Sequence, residues 1–467
     1  MNFLRVRRVH FVGIGGVGMS GLAEILASVG LTVTGSDLHE GEETRRLRGI
    51  GIPVFAAGHR AEHVAGADVV VYSSAVAEDN PELVAARIAG VPVIKRAEML
   101  AEVMRVKTGI AIAGSHGKTT TTSMTGAILQ AAGLDPTIVV GGRVRAMGTN
   151  ACLGKGEYLV AEADEYDRSF LKLRPVVAVV NNIDLEHLDT YRDLDDLKTS
   201  FTQFAATVPF FGAALLGLDD PNVQEIRPLL STRVRVGTFG LTPQADVTAR
   251  DLSLDRSFSR FTAVAEGEPM GTVEVALPGL HNVKNALAAI AISRELEVPF
   301  EACAAALSTF AGVARRFERK GERDGVLVID DYAHHPTEVS ATLGAARQAH
   351  PERRLVVLFQ PHLFTRTRDQ AAGFGAALLA ADAVYVLPVY PSREAPIEGI
   401  TSRLVSDAAR VRGHRNVVDL DVRADVVSRL REDLRAGDLL VTMGAGDVNR
   451  LGEEYLARKA AVVDTKW

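Results

Sequence analysis

The feature that most constrains this chain of 467 residues is a glycine-rich turn between a predicted strand and a predicted helix. The apolar segment Thr108–Ala113 predicts a buried strand, and Gly-Ser-His-Gly-Lys-Thr-Thr follows it at residues 114–120. Glycines in such a turn let backbone N–H groups converge on phosphate oxygens without a side-chain clash. Lys118 would supply a positive charge for the β- and γ-phosphates, and the Thr119 hydroxyl is placed to ligate Mg²⁺. The turn is a shortened form of the usual phosphate loop, because Ile112 stands where the usual first glycine would be.

A cluster of carboxylates follows a later predicted strand. The apolar segment Tyr158–Ala161 runs directly into Glu-Ala-Asp-Glu-Tyr-Asp, of which Glu162 is the first residue. Acidic side chains at the carboxyl end of a parallel strand lie where α/β proteins bind ligands, and Mg²⁺ prefers oxygen ligands. We therefore expect Glu162 to ligate Mg²⁺. Further along, His187 stands between Glu186 and Asp189 after another strand and is a candidate for a second metal or phosphate contact.

A second glycine-rich turn, near the start of the chain, predicts another anion site. Residues 13–18 read Gly-Ile-Gly-Gly-Val-Gly, and Asp37 follows the next strand 19 positions after Gly18. Taken alone, this pattern predicts a dinucleotide fold in which the pyrophosphate of NAD or FAD meets a helix N-terminus and Asp37 meets a ribose. A nucleotide diphosphate sugar would satisfy the site equally, because the physical requirement is a diphosphate-shaped anion.

The order of predicted elements indicates an α/β protein with three units, since strands and helices alternate over most of the chain. The first unit has predicted strands at Val9–Val12, Thr32–Gly35 and Asp68–Tyr72 and predicted helices at Gly18–Ser28 and Pro81–Ala89. The second unit adds a predicted strand at Val176–Val180 to the strands named above. A period-2 pattern then predicts an antiparallel hairpin of Phe258–Ala265 and Gly271–Leu277, joined by Glu266–Met270. A predicted helix over Asn282–Leu296 follows the hairpin. The third has predicted buried strands at Val326–Asp330, Leu355–Gln360, Ala383–Leu387 and Leu439–Met443.

Composition excludes several classes of protein. The 52 basic and 58 acidic residues give a net charge of −6 without a block of like charge, which argues against nucleic-acid and membrane-surface partners. The uncharged stretch Thr199–Leu218 is too polar to span a membrane, and the two cysteines, Cys152 and Cys303, match no metal spacing. We expect a cytoplasmic protein.

Two polar segments of the C-terminal third each follow a predicted strand. The first, at residues 330–338, contains His335, and the second, at residues 360–368, contains His362 and Arg366. Arginine recognises a carboxylate well, and the histidines can donate hydrogen bonds to a substrate. The alternative is that these residues cap helices and bound a turn.

Taken together, these motifs resemble those of the Mur ligases. Six segments occur in the family's order: Gly-Ile-Gly-Gly-Val-Gly-Met-Ser-Gly at 13–21, Gly-Ser-His-Gly-Lys-Thr-Thr-Thr at 114–121, Glu-Ala-Asp-Glu-Tyr-Asp at 162–167, Leu-Pro-Gly-Leu-His-Asn-Val-Lys-Asn at 277–285, Arg-Arg-Phe-Glu at 315–318 and Asp-Asp-Tyr-Ala-His-His-Pro-Thr-Glu at 330–338. The resemblance implies a Rossmann-like N-terminal domain at 1–105, a central ATPase domain with a small antiparallel portion at 106–318, and a Rossmann-like C-terminal domain at 319–467.

The resemblance also implies two sets of binding residues. ATP would meet Gly114, Ser115, His116, Gly117, Lys118, Thr119, Thr120, His281, Asn282, Asn285 and Asp331, with Mg²⁺ on Thr119, Glu162 and His187. A UDP-sugar would meet Gly15, Gly16, Gly18, Met19, Ser20, Asp37, Ser73, Ser74, Arg96 and Tyr332. Three positions depart from the family pattern. Ser115 replaces a common threonine, and Leu363 stands where some relatives carry arginine. Other branches of the family have a carbamylated lysine in this region, but Lys198 lies closer to His187 in the sequence than that lysine does, so we do not assign it the modification.

The activity implied is the ATP-dependent joining of L-alanine to the lactyl carboxylate of UDP-N-acetylmuramate through an acyl phosphate, by a monomer or weak homodimer. Lys118, Glu162, His187, His335, His362 and Arg366 would be the catalytic residues. Three alternatives remain open from the sequence. A ligase of the same family could attach a preformed peptide, an NAD-dependent oxidoreductase could use the first glycine turn, and a P-loop kinase or motor-type ATPase could use the second.

Overall fold

The computed structural model describes residues 6–73, 75–144, 149–188, 190–392, 394–421 and 425–457. The chain divides into two compact units. The first consists of residues 1–253, 260–276 and 282–313, and the second consists of residues 254–259, 277–281 and 314–467. No helix in the described ranges is long and apolar enough to cross a membrane.

The first sheet has five strands in the order β3-β2-β1-β4-β5, and all neighbours are parallel. Its elements are β1 (Arg8–Val12), α1 (Val17–Ser28), β2 (Thr32–Ser36), α2 (Glu42–Gly49), β3 (Val54–Phe55), β4 (Val69–Tyr72), α3 (Pro81–Ile88), β5 (Val93–Lys95) and α4 (Arg96–Met104). The chain reverses its direction of travel across the sheet between β1 and β4. In open parallel sheets, ligands bind at such a reversal, beyond the carboxyl ends of the strands. The turn at 13–18 leaves β1 at this point.

The second sheet has ten strands in the order β15-β14-β13-β12-β11-β10-β6-β9-β7-β8. Its strands are β6 (Thr108–Ala113), β7 (Thr137–Val144), β8 (Thr149–Cys152), β9 (Tyr158–Glu162), β10 (Val177–Val180), β11 (Ala213–Gly217), β12 (Val236–Phe239), β13 (Val247–Leu254), β14 (Ser259–Ala265) and β15 (Glu268–Val275). The helices that accompany it are α5 (Lys118–Ala131), α6 (Leu194–Ala205), α7 (Pro221–Ile226), α8 (Leu280–Glu295) and α9 (Phe300–Ser308). β6 pairs in parallel with both β10 and β9, so the polar segments after all three strands start at one edge of the sheet.

The first two sheets share one hydrophobic core. α1 packs against β7 and β8, and buried residues of both sheets, from Phe11 and Leu22 to Ala111 and Phe201, form a single cluster. A shared core explains why both sheets fall in the same compact unit.

The third sheet belongs to the second unit and has the order β16-β17-β21-β18-β19-β20. Its elements are β16 (Glu318–Arg323), β17 (Val326–Asp331), α10 (Pro336–Ala349), β18 (Arg354–Phe359), α11 (Phe364–Ala377), β19 (Ala383–Val386), α12 (Arg403–Val411), β20 (Val417–Asp419), α13 (Val426–Asp433), β21 (Asp438–Met443) and α14 (Val448–Leu456). β16 runs antiparallel to β17, and the other neighbours are parallel. Separate apolar clusters cover the two faces, as expected for a buried parallel sheet.

The predicted hairpin is present, but its connection is shorter than predicted. Glu266 and Gly267 alone join β14 to β15, with φ values of +51° and +89° that fit a two-residue hairpin turn. The predicted connection, Glu266–Met270, included Pro269, which lies in β15. β15 is the edge strand of the sheet, where proline is tolerated. The residue bounds predicted for the three domains stay a prediction.

Candidate active site

The phosphate-loop candidate joins β6 to α5, and two of its glycines have no room for a side chain. Gly114 has a φ of +134°, and a Cβ there would lie 2.9 Å from the Cβ of Asn181. Gly117 has a φ of +81°, and a Cβ there would overlap Oδ1 of Asn285. α5 begins at Lys118, so the first amides of this helix, which lack intrahelical acceptors, form an anion-binding end directly after the loop.

The amides of the loop itself are held by the segment that follows β10. Ser115 donates its N–H to the carbonyl of Asn182 at 3.1 Å, and His116 donates its N–H to Oδ1 of Asn182 at 2.8 Å. The Ser115 hydroxyl accepts the N–H of Asp184 at 2.8 Å, and His116 Nε2 lies 3.0 Å from Oδ2 of the same aspartate. The loop is therefore fixed by the neighbouring strand, and the amides left to meet an anion are those at the start of α5.

Lys118 is paired with Glu165, a carboxylate from the acidic segment. Its Nζ lies 2.9 and 2.8 Å from the two carboxylate oxygens of Glu165. Glu165 is fully buried, and the Tyr191 hydroxyl donates to its backbone carbonyl at 2.6 Å. Burial lowers the pKa of Lys118, but the nearby carboxylates, Glu165 first, raise it by more, so the ammonium stays charged. Burial raises the pKa of Glu165, but the charge of Lys118 and the nearby His187 lower it by more.

Thr119 and Glu162, the predicted metal ligands, are brought together. The Thr119 hydroxyl lies 3.1 and 3.0 Å from the two oxygens of Glu162. The N–H of Gly141 on β7 donates to Glu162 Oε2 at 2.6 Å, which orients the carboxylate. The sequence placed Glu162 directly after the strand, but in the structure it is the last residue of β9.

His187 lies beside the lysine–glutamate pair. Its Nε2 is 3.7 Å from Oε1 of Glu165 and 3.6 Å from Oε2 of Glu186. Asp164, Glu165 and His187 offer ligand atoms that all lie within 4.8 Å of one another, which is compact enough for a cation. Asp189, which the sequence placed in the same group, lies outside the described residues.

The helix α8 brings two predicted asparagines to the start of α5. Oδ1 of Asn285 accepts a hydrogen bond from the Thr121 hydroxyl at 3.3 Å, and its Nδ2 donates to Oδ1 of Asn282 at 3.4 Å. Both asparagines are buried, as is Thr120 in the first turn of α5. These residues therefore surround the phosphate-loop candidate within the first unit.

The first glycine turn is held by the end of β2. The N–H groups of Gly13 and Ile14 both donate to the carbonyl of Ser36, at 2.9 and 3.0 Å. Gly15 donates its N–H to Oδ2 of Asp37 at 2.8 Å. Asp37 was predicted to meet a ribose, and in the structure its carboxylate also fixes the turn.

Most of the other sugar-nucleotide candidates lie around this turn. A Cβ on Gly18 would lie 3.2 Å from the guanidinium of Arg96, and a Cβ on Gly13 would lie 3.4 Å from the Cβ of Ser73. Met19 and Ser20 are buried in the first turn of α1. The carbonyl of Gly16 accepts the N–H groups of Met19 and Ser20 in the first turn of α1. Ser74 lies outside the described residues.

In the second unit, Asp331 ends β17 and holds two backbone amides. It accepts the N–H of Phe317 at 2.7 Å and that of Ala333 at 2.8 Å. Burial raises the pKa of Asp331 to about 6, although the charge of Arg316 opposes the shift. The carboxylate is therefore poised to change charge close to neutral pH.

Two histidines of the second unit, His335 and His281, were predicted to act in catalysis and in nucleotide binding, respectively. His335 is buried and caps α10, where its Nδ1 accepts the N–H of Thr337 at 3.4 Å. The predicted alternative of a capping role is thus present for this residue. Burial lowers the pKa of His281 to about 4, and the charge of Arg316 lowers it further, so its imidazole is neutral at pH 7.

An aromatic cluster of the second unit contains Tyr332, His362 and two residues that the sequence reasoning did not single out, His334 and Tyr390. His362 stacks on Tyr390 with ring centroids 5.9 Å apart, and His334 meets the rings of both Tyr332 and His362 edge-on. Arg366 Nη1 lies 3.5 Å from Nδ1 of His362. A guanidinium in this position suits recognition of an amino acid's carboxylate.

Three family models match successive parts of the chain. The Mur ligase family catalytic domain matches residues 8–108, the Mur ligase middle domain matches 112–293, and the Mur ligase glutamate ligase domain matches 315–446. The chain belongs to the Mur ligase family. Its fold is the three-domain α/β fold of that family.

Relatives and solved structures of Mur ligases match nearly the whole chain. The UDP-N-acetylmuramate--L-alanine ligase of Sorangium cellulosum is 54% identical over 459 residues, which cover 98% of this chain and 97% of that one. A crystal structure of UDP-N-acetylmuramate-alanine ligase from Thermotoga maritima has a TM-score of 0.80 and 29% identity, and covers 96% of this chain and 98% of that chain. The murein peptide ligase of Psychrobacter arcticus has a TM-score of 0.70 and 26% identity at the same coverage.

Sequence reasoning missed the residues that hold Lys118 and the phosphate-loop candidate in position. Glu165 was quoted in its motif but given no role, although it is the carboxylate that pairs with Lys118. Asn182 and Asp184 fix the loop, and nothing in a linear pattern marks which polar residues after a strand will turn back toward the neighbouring strand. The neighbouring order β10-β6-β9 was the missing information.

Proposed function

We propose that this protein is an ATP-dependent ligase that joins L-alanine to the lactyl carboxylate of UDP-N-acetylmuramate and releases ADP and phosphate, in the synthesis of peptidoglycan precursors. The choice of substrates rests on one observation, the 54% identity over 98% of the chain to a relative that carries this name. The geometry of the phosphate loop supports the reaction type, because it unites an anion-binding helix end, a fixed ammonium and oxygen ligands.

ATP would lie with its phosphates at the start of α5. The amides of the first helical turn and the charge of Lys118 would neutralise the β- and γ-phosphates, as phosphoryl transfer requires. Glu165 holds the ammonium in place before the nucleotide arrives. Asn282 and Asn285 would line the nucleotide site from α8. Asp331 and His281 of the second unit are proposed to meet the nucleotide as well.

The donor set at Thr119 and Glu162 fits Mg²⁺. Both side chains offer oxygens, they lie 3.0 Å apart at their closest, and hard divalent cations take such ligands. Held by these two residues, Mg²⁺ would supply positive charge that offsets the negative charge of the phosphates. We propose that His187, with Asp164 and Glu165, forms a second cation site beside the first.

The chemical problem is that a carboxylate does not condense with an amine at neutral pH. The lactyl carboxylate oxygen attacks the γ-phosphorus, the bond from that phosphorus to the β,γ-bridging oxygen breaks, and ADP leaves with the bond's electron pair. The neutral amine of L-alanine then attacks the acyl carbon, and the bond from that carbon to the phosphorylated oxygen breaks. Inorganic phosphate departs with the former carboxylate oxygen and the electron pair of that bond, and the nitrogen loses a proton to solvent. Lys118 stabilises the charge that develops on the transferred group. Exclusion of water protects the acyl phosphate from hydrolysis.

The first glycine turn is proposed to hold the diphosphate of the sugar nucleotide, with Arg96 as its cation. For the amino acid, we propose Tyr332, His362 and Arg366 of the second unit, where the guanidinium would bind the carboxylate of L-alanine. His335 is proposed as a catalytic residue whose ring is fixed by its position at the start of α10. The free thiols Cys152 and Cys303 suit a reducing compartment, and we propose the cytoplasm.

A panel of acceptors tests the proposal. ADP formation is measured with UDP-N-acetylmuramate and, in turn, L-alanine, glycine, L-serine and a wall tripeptide. We expect the highest kcat/KM with L-alanine. A preference for the tripeptide would assign the chain to peptide attachment, the activity named for the Psychrobacter arcticus protein. Absence of ADP formation with every acceptor, from a folded enzyme with Mg²⁺ present, would refute the proposal.

A further inference from the structure

A buried carboxylate outside the reaction site lies at the centre of three histidines in the first sheet. Glu82 is the second residue of α3, and its side chain has 0% exposure. His10 of β1 and His59 and His63 of the segment after β3 all direct a ring nitrogen toward it. None of these four residues has a role in the mechanism above.

The two oxygens of Glu82 have different donors. Oε1 accepts from His63 Nδ1 at 2.5 Å and from the N–H of Arg60 at 3.2 Å. Oε2 accepts from the Ser36 hydroxyl at 2.5 Å and lies 3.4 Å from His10 Nε2. Burial raises the pKa of Glu82, but the hydrogen bonds from His10, Ser36 and His63 lower it to about 2, so the side chain is a carboxylate at neutral pH.

The protons of this network can be assigned. Ser36 has a single hydroxyl proton, and at 2.5 Å from a carboxylate that proton is donated to Glu82. His59 Nδ1 lies 2.9 Å from the same hydroxyl oxygen, so His59 must carry a proton on Nδ1 and donate it to Ser36. The result is a directed chain of hydrogen bonds from His59 through Ser36 to Glu82.

The arrangement is not that of a metal centre. The described residues contain two groups of His, Cys, Asp or Glu whose ligand atoms lie within 4.8 Å of one another, and neither includes Glu82. Instead, His10 and His63 hydrogen-bond the carboxylate directly, and His59 is connected to it through Ser36. A buried charge with this number of donors fixes the position of every group that it binds.

Ser36 links this network to the first glycine turn. Its carbonyl accepts the N–H groups of Gly13 and Ile14, and the next residue, Asp37, accepts that of Gly15. Ser36 itself is completely buried. Three successive amides of the turn are therefore positioned by the end of β2, and the side chain at that end is held by Glu82.

We propose that Glu82 is a positioning residue for the sugar nucleotide: through the Ser36 hydroxyl it fixes the end of β2, and β2 in turn fixes the amides of the Gly13–Gly18 turn. The proposal rests on the proposed function, since it assigns the turn to UDP-N-acetylmuramate. It identifies a carboxylate that lies behind the binding surface and acts only through another residue.

Two variants test the proposal against a purely structural role. Ser36→Ala removes the link and leaves the carboxylate with its other donors, whereas Glu82→Gln removes the charge and keeps the shape. We expect each to raise KM for UDP-N-acetylmuramate, and Kd by calorimetry, about tenfold, the usual cost of one hydrogen bond to a charged group. KM for ATP and kcat at saturation should stay within about twofold. A structural role alone would lower stability without this selectivity.

Asp438→Asn is the matched control. Asp438 is a buried carboxylate of the third sheet that pairs with Arg354 at 2.7 Å and lies at the start of β21. Its loss should lower stability and leave KM for the sugar nucleotide unchanged.

The outcomes separate this inference from the proposed function. If folded Ser36→Ala protein binds UDP-N-acetylmuramate with wild-type Kd, the inference is overturned, even if Glu82→Gln does not fold. If both variants raise the KM values of all substrates equally, the inference is also overturned. If the wild-type chain binds the sugar nucleotide but makes no ADP with any acceptor, the proposed function fails, and the calorimetric comparison still decides the role of Glu82.

Discussion

The two glycine-rich turns of the first unit share one backbone plan and differ in their side chains. Each leaves a central parallel strand at its carboxyl end and leads into a helix, β1 into α1 and β6 into α5. In both, amides of the turn are held by the strand alongside, by Ser36 and Asp37 in one and by Asn182 in the other. The difference begins at the first residues of the helix.

The second turn is followed by a lysine and a threonine, each paired with its own carboxylate. Lys118 is fixed by Glu165, and Thr119 is fixed by Glu162. The helix after the first turn, α1, instead begins with Val17 and Gly18, with Arg96 alongside Gly18. A helix end with amides alone can bind a diphosphate, but transfer of a phosphoryl group also needs a fixed charge and a metal. Under the proposed function, the first two residues of each helix thus distinguish the turn that binds a diphosphate from the turn at which phosphoryl transfer occurs.

The largest effect is expected at Lys118. Lys118→Ala should lower kcat for ADP formation about 10²–10³-fold, by analogy with the loss of a single donor to a developing oxyanion. Binding of UDP-N-acetylmuramate by calorimetry should be unchanged, because the site proposed for that ligand is the other turn. Lys320→Ala, which removes an ammonium paired with Glu453, is the control for loss of an ion pair. Near-normal turnover of Lys118→Ala would contradict the proposal that the lysine after the second turn is needed for phosphoryl transfer.

The buried charge behind the first turn predicts a dependence of stability on pH. The pKa of Glu82 is about 2 in the folded chain against an ordinary value of 4.5, so its contribution is complete above pH 4.5 and is lost as the pH falls toward 2. The loss is about 3 kcal/mol, to order of magnitude. Urea unfolding at pH 5 and pH 3 should show the wild type losing more stability than Glu82→Gln. Equal losses of unfolding free energy in the wild type and Glu82→Gln would contradict the assignment of a stabilising negative charge to Glu82.

A third effect concerns the shape of the second turn. Gly117→Ala places a Cβ against Oδ1 of Asn285, and we expect KM for ATP to rise about tenfold or more. Gly133→Ala is the matched control, because Gly133 also has a positive φ, +74°, but has open space around it. Both variants carry the cost of a left-handed residue, about 1–2 kcal/mol. Equal KM values for the two would show that the close approach of α8 is unimportant.

The smallest effect is expected in the first turn. In Gly15→Ala, the new Cβ would lie 2.9 Å from Oδ2 of Asp37, and the aspartate can move away to accommodate it. We expect KM for UDP-N-acetylmuramate to rise about fivefold, roughly the value of one hydrogen bond, with KM for ATP unchanged. Gly49→Ala in α2, which meets no neighbour within 4 Å, should leave both values unchanged. A rise in KM for ATP in Gly15→Ala would contradict the assignment of the sugar nucleotide to the first turn and of ATP to the second.

The sequence predicted those parts of the fold that follow from local pattern. β6 was predicted with its observed bounds, because a run of small apolar residues ends abruptly at Gly114. β7 was not predicted, since Gly141 and Gly142 interrupt it and read as a turn. β16 also escaped prediction: its residues are charged, and it is held as an edge strand by pairing with β17.

The site was predictable in its motifs and unpredictable in its pairings. Lys118 and Thr119 follow from their place after the glycines, but the choice between Glu162 and Glu165 as partner does not. Glu162 ends a strand and points to Thr119, whereas Glu165 lies in the following turn and reaches back to Lys118. Likewise, the hydrogen bond from Ser36 to Glu82, which connects Glu82 to the first turn, joins residues 46 positions apart and depends on the order of strands in the sheet.

The central claim is that this protein activates the lactyl carboxylate of UDP-N-acetylmuramate by phosphorylating it. An oxygen-label experiment tests that claim most directly. UDP-N-acetylmuramate labelled with ¹⁸O in both oxygens of the lactyl carboxylate is turned over with unlabelled ATP and L-alanine. We predict that each released phosphate carries one ¹⁸O atom, because one oxygen of the carboxylate leaves with the phosphoryl group. Unlabelled phosphate from complete turnover would contradict the account.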